Sequence, residues 1–471
     1  MVGSEAAARQ NRVLRTGMLR RSRALMISPK LWKSRLVFWL GALATGVISA
    51  AFAYLADEAH QLFKVISGGG GLRGYIPLLL TPAGMVACAW IASRYFPGSQ
   101  GSGIPQAIAA RHLRDDRERH VLLSIRLALG KIALTIAGLA CGASIGREGP
   151  TVQVGASIML LSARLGGMAH AKGLILAGSA AGIAAAFNTP LAGIVFAIEE
   201  MSRSYSARTN GVVLSAVIIA GVASLGLLGS YTYFGVTHAT AVFPDDWILV
   251  AACGVCGGLL GALFTRLVLT ITRRVRRWKP AQGWHRVVGV AGAAGLVVAV
   301  VGVASGGMAF GTSYDIARSG VEGAVLPWYF FIAKFLATLA STVSGIPGGL
   351  FAPSLAVGAG MGSVLGAMLG ANASIAAVMG MSGYFAGVVQ APMTAFVIIV
   401  EMTGNHDNVV PIMAAAMLGY GTSRLIAPEP LYHALSRIWA ADVIREHRQA
   451  ARHKEPVSAL PQVVGKDGNQ V

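Results

Sequence analysis

Stretches long and apolar enough to cross a bilayer recur along this chain, at 36–56, 74–93, 173–198, 211–235, 247–265, 287–304, 326–345, 374–400 and 408–422. A hydrocarbon core about 30 Å thick takes about 20 such residues at the rise of a helix. Lipid offers a backbone amide no partner, so each crossing must close its own hydrogen bonds and is predicted to be helical. The stretches leave no room for a separate soluble domain. The fold class that follows is an all-α polytopic membrane protein. Composition points the same way: of 471 residues 54% are hydrophobic and 13% charged, with 60 glycines, and the mean hydropathy is +0.61, a combination foreign to soluble domains. The first stretch follows a basic arm without an A-x-A cleavage site and exceeds the core of a signal peptide, which predicts a retained transmembrane helix.

Lysine and arginine outnumber aspartate and glutamate 39 to 20, a net charge of +19. The distribution argues against a nucleic-acid partner, because the basic residues flank apolar spans and none carries a recognisable nucleic-acid-binding fold around it. They fall at Arg9 to Arg35, Arg111 to Arg126, "RRVRRWK" (273–279) and Arg445 to Lys454. Basic loops stay on the cytoplasmic side. Both termini are therefore expected there, and the acidic "FPDDW" (243–247) outside. The basic tail reads as a solvated inner-surface segment, with lipid headgroups as the other reading. Cys253 and Cys256 form a C-x-x-C, but with no second pair or histidine cluster they read as packing, as do Cys88 and Cys141. Neither metal nor cofactor is called for.

The chain also matches itself. "GREGPTVQVGA" (146–156) meets "GLFAPSLAVGA" (349–359) at a shift of 203, with glycine, proline, valine, glycine and alanine coinciding. Downstream, Pro190, Val195 and Glu199 meet Pro392, Val397 and Glu401 at a shift of 202. Two collinear matches predict homologous halves: a first membrane repeat over 36–210 and a second over 211–426. Outside them lie a basic arm (1–35), a final helix region (427–440) and a polar tail (441–471). Repeats in transporters often have inverted topology and meet at the bilayer midplane, where interrupted helices build the ion site.

Interruption is written into the sequence as well. "GSGIPQ" (101–106), "GREGP" (146–150), "FNTP" (187–190) and "SGIPGGLFAP" (344–353) break apolar runs, and each can open a helix, proline suiting the first turn and glycine the approach to it. A helix start presents unpaired N–H groups and roughly half a positive charge. Several such starts converging in a membrane would hold an anion without a cationic side chain at the site. Gly358, Gly362, Gly366 and Gly370 have small-xxx-small spacing and predict close helix packing. "SGGGGLRG" (67–74) lacks the ending of a phosphate loop and reads as a connection.

At these residues the chain resembles the CLC chloride channel and transporter family. GSGIP (101–105), GREGP (146–150) and GGLFAP (348–353) occur in the family's order, joined by "AAAFNTPLAGIVFAIEEM" (184–201) and "EPLY" (429–432), and the likeness spans roughly 35–440. The resemblance implies a homodimer with one pore per subunit, each pore formed by two inverted repeats of tilted and broken helices. It implies chloride and protons as substrates. The anion would be held by the Ser102 and Tyr432 hydroxyls and the backbone amides of Leu350 and Phe351. Gly101, Gly103, Ile104 and Pro105, then Gly146, Arg147, Gly149 and Pro150, and Gly349 would shape the loops around it. Members favouring nitrate tend to carry proline at the position of Ser102, which favours chloride here.

The same likeness makes Glu148 the external gate, a carboxylate able to occupy an anion site and leave it, and Glu200 the internal proton-transfer group. A structural pairing of Glu148 with Arg147 is the alternative. Passive channels commonly lack a glutamate at Glu200, so proton-coupled exchange is expected over a passive channel. Glu199 is expected to cap or pair near a helix end. Lys131 and Lys334 would either raise the potential at the anion or snorkel and pair. About forty residues follow Tyr432, too few for the paired nucleotide-binding domains that many eukaryotic members append, and a minimal bacterial inner-membrane transporter is expected. One rival lies outside the family: "GASIG" (142–146) and "GMSG" (380–383) fit intramembrane serine hydrolases, but no histidine sits centrally in a long apolar stretch to serve as base.

Overall fold

The computed structural model describes residues 29–68, 71–168, 171–202, 207–229, 232–278 and 283–452. Most of the basic arm and the end of the tail lie outside these residues. The described chain is helical throughout. The first half runs α1 (Pro29–Ser67), α2 (Pro77–Tyr95), α3 (Ile104–His112), α4 (Asp116–Leu122), α5 (Ile125–Ala140), α6 (Glu148–Leu165), α7 (Ala171–Phe187), α8 (Pro190–Phe196) with a π-helical turn (Ala197–Ser202), and α9 (Ala207–Leu228). The second runs α10 (Trp247–Arg277), α11 (Gly283–Ala304), α12 (Tyr314–Val321), α13 (Phe330–Val343), α14 (Phe351–Leu369), α15 (Ala373–Val389), α16 (Pro392–Thr403) and α17 (Val409–Ile426), and α18 (Leu431–Arg452) closes the chain.

The two lists are one list repeated, α1 matching α10 and α9 matching α17, with α3 and α4 together standing opposite α12; α9 runs on to Leu228, past the boundary expected at 210. Helices α5, α6, α7, α8 and α9 begin within six residues of a 202-residue shift from α13 to α17. Two reciprocal exchanges show how the halves meet. Gly146 N–H donates to the Gly349 carbonyl and Gly349 N–H to the Gly146 carbonyl, both at 2.7 Å, in an antiparallel bridge. Glu199 accepts from the Met393 and Thr394 amides that open α16, at 3.0 and 2.6 Å, while Glu401 accepts from the Leu191 and Ala192 amides that open α8, at 3.1 and 2.7 Å. Equivalent residues trading the same bond require a local two-fold axis between them, and antiparallel partners run in opposite senses. The repeats are inverted.

Some apolar stretches are not single helices. The stretch 173–198 breaks after Phe187, and 374–400 after Val389. The breaks occupy equivalent places: Asn188 and Gln390 have φ of 57° and 58°, Thr189 and Ala391 share φ of −127° and −129°, and Pro190 and Pro392 start the new helix. The first break is the one that FNTP (187–190) marked; the second, at Gln390, lies within a stretch whose hydropathy averages over a one-residue turn. Conversely α5 and α14 are apolar helices outside those stretches; Asp116–Ala140 and Phe351–Leu369 are long and apolar enough to cross a membrane. The stretch 211–235 ends as helix at Leu228.

Small residues decide how closely these helices approach. A methyl group on Gly358, Gly362 or Gly366 would come within 2.6 Å of Met381, 2.0 Å of the Ala376 carbonyl and 2.3 Å of the Ala376 side chain, all on α15. The fourth member, Gly370, has another job, capping α14 at φ 67°. The first half repeats the contact, a methyl on Gly155 falling 2.2 Å from the Gly178 carbonyl between α6 and α7.

Candidate functional site

Three chain breaks meet at one junction. The loop before α3 is pinned to the loop before α14 by Gly101 N–H to the Ile346 carbonyl at 3.0 Å and Gly348 N–H to the Gly101 carbonyl at 3.2 Å. The loop before α6 is pinned to the same loop by the Gly146–Gly349 exchange. Gly103, at φ 99°, caps α3 with Ile104 and Pro105 as its first residues. A side chain at Gly149 would lie 2.3 Å from Ser102 Oγ, and one at Gly349 would lie 2.8 Å from the Gly149 amide and 3.2 Å from the Pro150 ring. The motif glycines are thus the contact surface of the junction, and larger residues would push the helix starts apart.

The helix starts converge on two buried hydroxyls. Ser102 Oγ and Tyr432 Oη are buried with no partner in good hydrogen-bond geometry, and they lie close enough to each other to interact. Leu350 caps α14 and Phe351 begins it, so their amides have no intrahelical acceptor. The Phe351 ring anchors this start against Phe187, Phe196, Phe385 and Tyr432, with ring centres 6.1, 6.2, 4.8 and 6.0 Å away. Buried hydroxyls left unpaired cost about 1–3 kcal/mol each. Two of them beside bare amides bring several donors together, which suits a desolvated anion.

Glu148 is the first residue of α6 and is buried. Its Oε1 accepts from the Tyr314 hydroxyl. Oε2 has no hydrogen-bond partner, although its own amide and that of Ala352, the second residue of α14, lie near enough to act on the carboxylate. A methyl on Gly146 would fall 2.2 Å from Oε2, so glycine there makes room for the carboxylate. The pairing of Glu148 with Arg147 is not found. Arg147 is turned to α1, where it meets Asp57 at 2.8 Å and the Ala53 carbonyl, and it bonds the Tyr233 hydroxyl while lying 4.9 and 5.9 Å from the ring centres of Tyr233 and Tyr314.

Glu200 is 1% exposed on the π-helical turn after α8. The wider turn lets neighbouring glutamates face different ways: Glu199 caps α16, also taking the Thr394 hydroxyl at 2.8 Å, and Glu200 turns to His433, whose Nε2 lies 3.6 Å from Oε1. The second half has Met402 in the equivalent place and remains α-helical. Lys131 and Lys334, equivalent at a shift of 203, are both fully buried and neither snorkels. Lys131 Nζ donates to Gln153 Oε1 at 2.6 Å and Lys334 Nζ to the Gly311 and Ala309 carbonyls at 2.6 and 3.2 Å. All three acceptors are neutral oxygens. The hydrolase serines are spent on packing: Ser144 meets Ser341 and Thr338 at 3.1 Å each and Ser382 donates to the Ile412 carbonyl at 2.7 Å.

The family profile described as voltage gated chloride channel matches residues 83–424. The chain belongs to that family. Curated relatives within it include the H(+)/Cl(-) exchange transporter ClcA of Citrobacter koseri, 31% identical over 450 residues and covering 90% of this chain and 93% of its own, and that of Cronobacter sakazakii, 32% identical over 444 residues with 89% and 93% covered. Among solved structures the fold resembles a slow cyanobacterial Cl-/H+ antiporter at a TM-score of 0.75 and 23% identity, covering 87% of this chain and 98% of that one. As a voltage gated chloride channel family member the protein is a multi-pass integral membrane protein, and a transporter rather than an enzyme. Four site residues escaped the sequence reading: Asp57, Tyr233, Tyr314 and His433. Only His433 carried a signal, standing next to the expected pore tyrosine.

Proposed function

We propose that the protein exchanges chloride for protons across a bacterial inner membrane, as a homodimer with one pore per subunit and cytoplasmic termini. Ser102, Tyr432 and the amides of Leu350 and Phe351 hold the central chloride. Glu148 is the outer gate and Glu200 the inner proton group. The observation that supports this reading is the Glu148 carboxylate lying near the Ala352 amide in the first turn of α14, with the buried Ser102 and Tyr432 hydroxyls at the same junction. An ionised carboxylate there stands in for an anion. Once protonated it is neutral, the partial charge of the helix start no longer holds it, and chloride takes the place. The Tyr432 hydroxyl, under the influence of both carboxyl groups, marks the ground a proton must cover between them.

The test is flux from reconstituted liposomes. An outward chloride gradient should drive proton uptake. Glu200→Ala should stop proton movement while chloride still flows, and Glu148→Ala should remove the pH dependence. Chloride flux without proton movement in the unmutated protein would make it a passive channel and end the exchanger reading.

A further inference from the structure

A buried Glu200 needs a route to water, and His433 touches both. We infer that His433 is the proton-loading group of Glu200, taking protons from an open cavity and delivering them to the carboxylate. The inference rests on the exchanger reading and adds to it the residue that feeds the inner proton group.

Several observations support it. His433 follows Tyr432 in the first turn of α18. Its Nε2 lies 3.0 Å from the Glu200 carbonyl oxygen and 3.6 Å from Glu200 Oε1, so a small rotation of either side chain closes the second contact. A carbonyl only accepts, so the first contact puts a hydrogen on Nε2 and leaves Nδ1 to take another proton. Glu200 is 1% exposed at its side chain and His433 17%, which sets the imidazole between the carboxylate and solvent. That solvent is a cavity of about 660 Å³ lined by His433 together with Ala109, His112, Glu429 and Arg437. The charged groups around it belong to three helices. Arg111 on α3 is tied to the Met201 carbonyl at 2.5 Å and Ser202 Oγ at 3.0 Å. Glu429, just before α18, pairs with Arg273 of α10 at 3.0 Å and with Arg437 of α18. His112 also lines the cavity, and Tyr432 lies next to His433 in the chain. Basic residues cluster here as they do on a cytoplasmic face, and histidine is the side chain whose ordinary titration falls in the cytoplasmic pH range.

The step balances simply. An acid in the cavity, water-borne or a buffer, gives a proton to Nδ1 and leaves as its conjugate base. The imidazolium releases the Nε2 proton to Glu200 Oε1, the imidazole returns to neutral, and the carboxylate becomes a neutral acid able to pass the proton outward.

Liposome flux with simultaneous chloride and proton recording tests this. In His433→Gly the ratio of proton to chloride flux should fall several-fold, and imidazole added to the bath, small enough to enter the cavity, should restore it. In His433→Gln, which still donates to the Glu200 carbonyl but carries no proton, the ratio should fall equally and imidazole should not help. An undiminished ratio in both variants overturns the assignment, because water alone then reaches Glu200. A fall in His433→Gly that imidazole leaves untouched also overturns it, by marking the side chain as support only. Should His433→Gly fail to fold, His433→Gln decides alone. An unmutated protein that moves no protons would instead refute the exchanger reading itself.

Discussion

Tyr314→Phe tests the gate with the loss of a single oxygen. The Tyr314 hydroxyl donates to Glu148 Oε1, and the ring is fixed independently, stacked 5.1 Å from Tyr233 and 5.9 Å from the Arg147 guanidinium. Phenylalanine keeps those contacts and removes only the hydrogen bond. A bond to a charged acceptor contributes about 1.5–3 kcal/mol. That energy favours the carboxylate in its seat by the α14 amides, where it competes with the anion. Each 1.4 kcal/mol is a factor of ten in binding, so apparent chloride affinity should rise by about ten- to a hundredfold, up to a ceiling set by Glu148→Gln, which removes the charged competitor. Calorimetric titration of the purified protein with chloride at neutral pH reads this directly. The double variant should bind like Glu148→Gln alone, since the hydroxyl then has no carboxylate to hold. Unchanged affinity in Tyr314→Phe alongside tighter binding in Glu148→Gln would refute the reasoning, and show that the tyrosine does not set how firmly the gate is held.

Gly149→Ala should cost most of the transport activity in folded protein, because its methyl would sit 2.3 Å from Ser102 Oγ and 2.8 Å from the Ser102 carbonyl; wild-type flux from this variant would mean the junction is looser than its packing. Glu199→Ala and Glu401→Ala should each lower the thermal unfolding temperature in detergent by comparable amounts. Each strips charge-assisted bonds from one helix start, a loss of about 3 kcal/mol or more per variant; a large effect from one alone would contradict their equivalence. A fluorophosphonate should fail to label the protein, with Ser144 and Ser382 held in helix contacts, and stoichiometric labelling of either would revive the hydrolase reading.

Much of this protein is written locally. Apolar length fixed helices in lipid, because the bilayer leaves the backbone no other way to satisfy itself. The glycine–proline breaks marked where helices start, since φ and the missing amide of proline are properties of single residues. The internal match identified the halves and paired Glu199 with Glu401 before any contact was known. What each helix start faces was not local. Arg147 and Glu148 are adjacent, yet one turns to Asp57 on α1 and the other to Tyr314 on α12, a divergence that depends on elements 90 residues upstream and 166 downstream. The break at Asn188 was marked by the proline of FNTP, but the positive φ that turns the chain at Asn188 and Gln390 was not, because neither residue type demands it. His433 gained its meaning from the Glu200 backbone, 233 residues away in the chain. Residue types and their spacing determined the helices, the repeat and the candidate groups; the inverted packing of the two halves decided which groups meet, because a two-fold arrangement joins residues that sequence separation keeps apart.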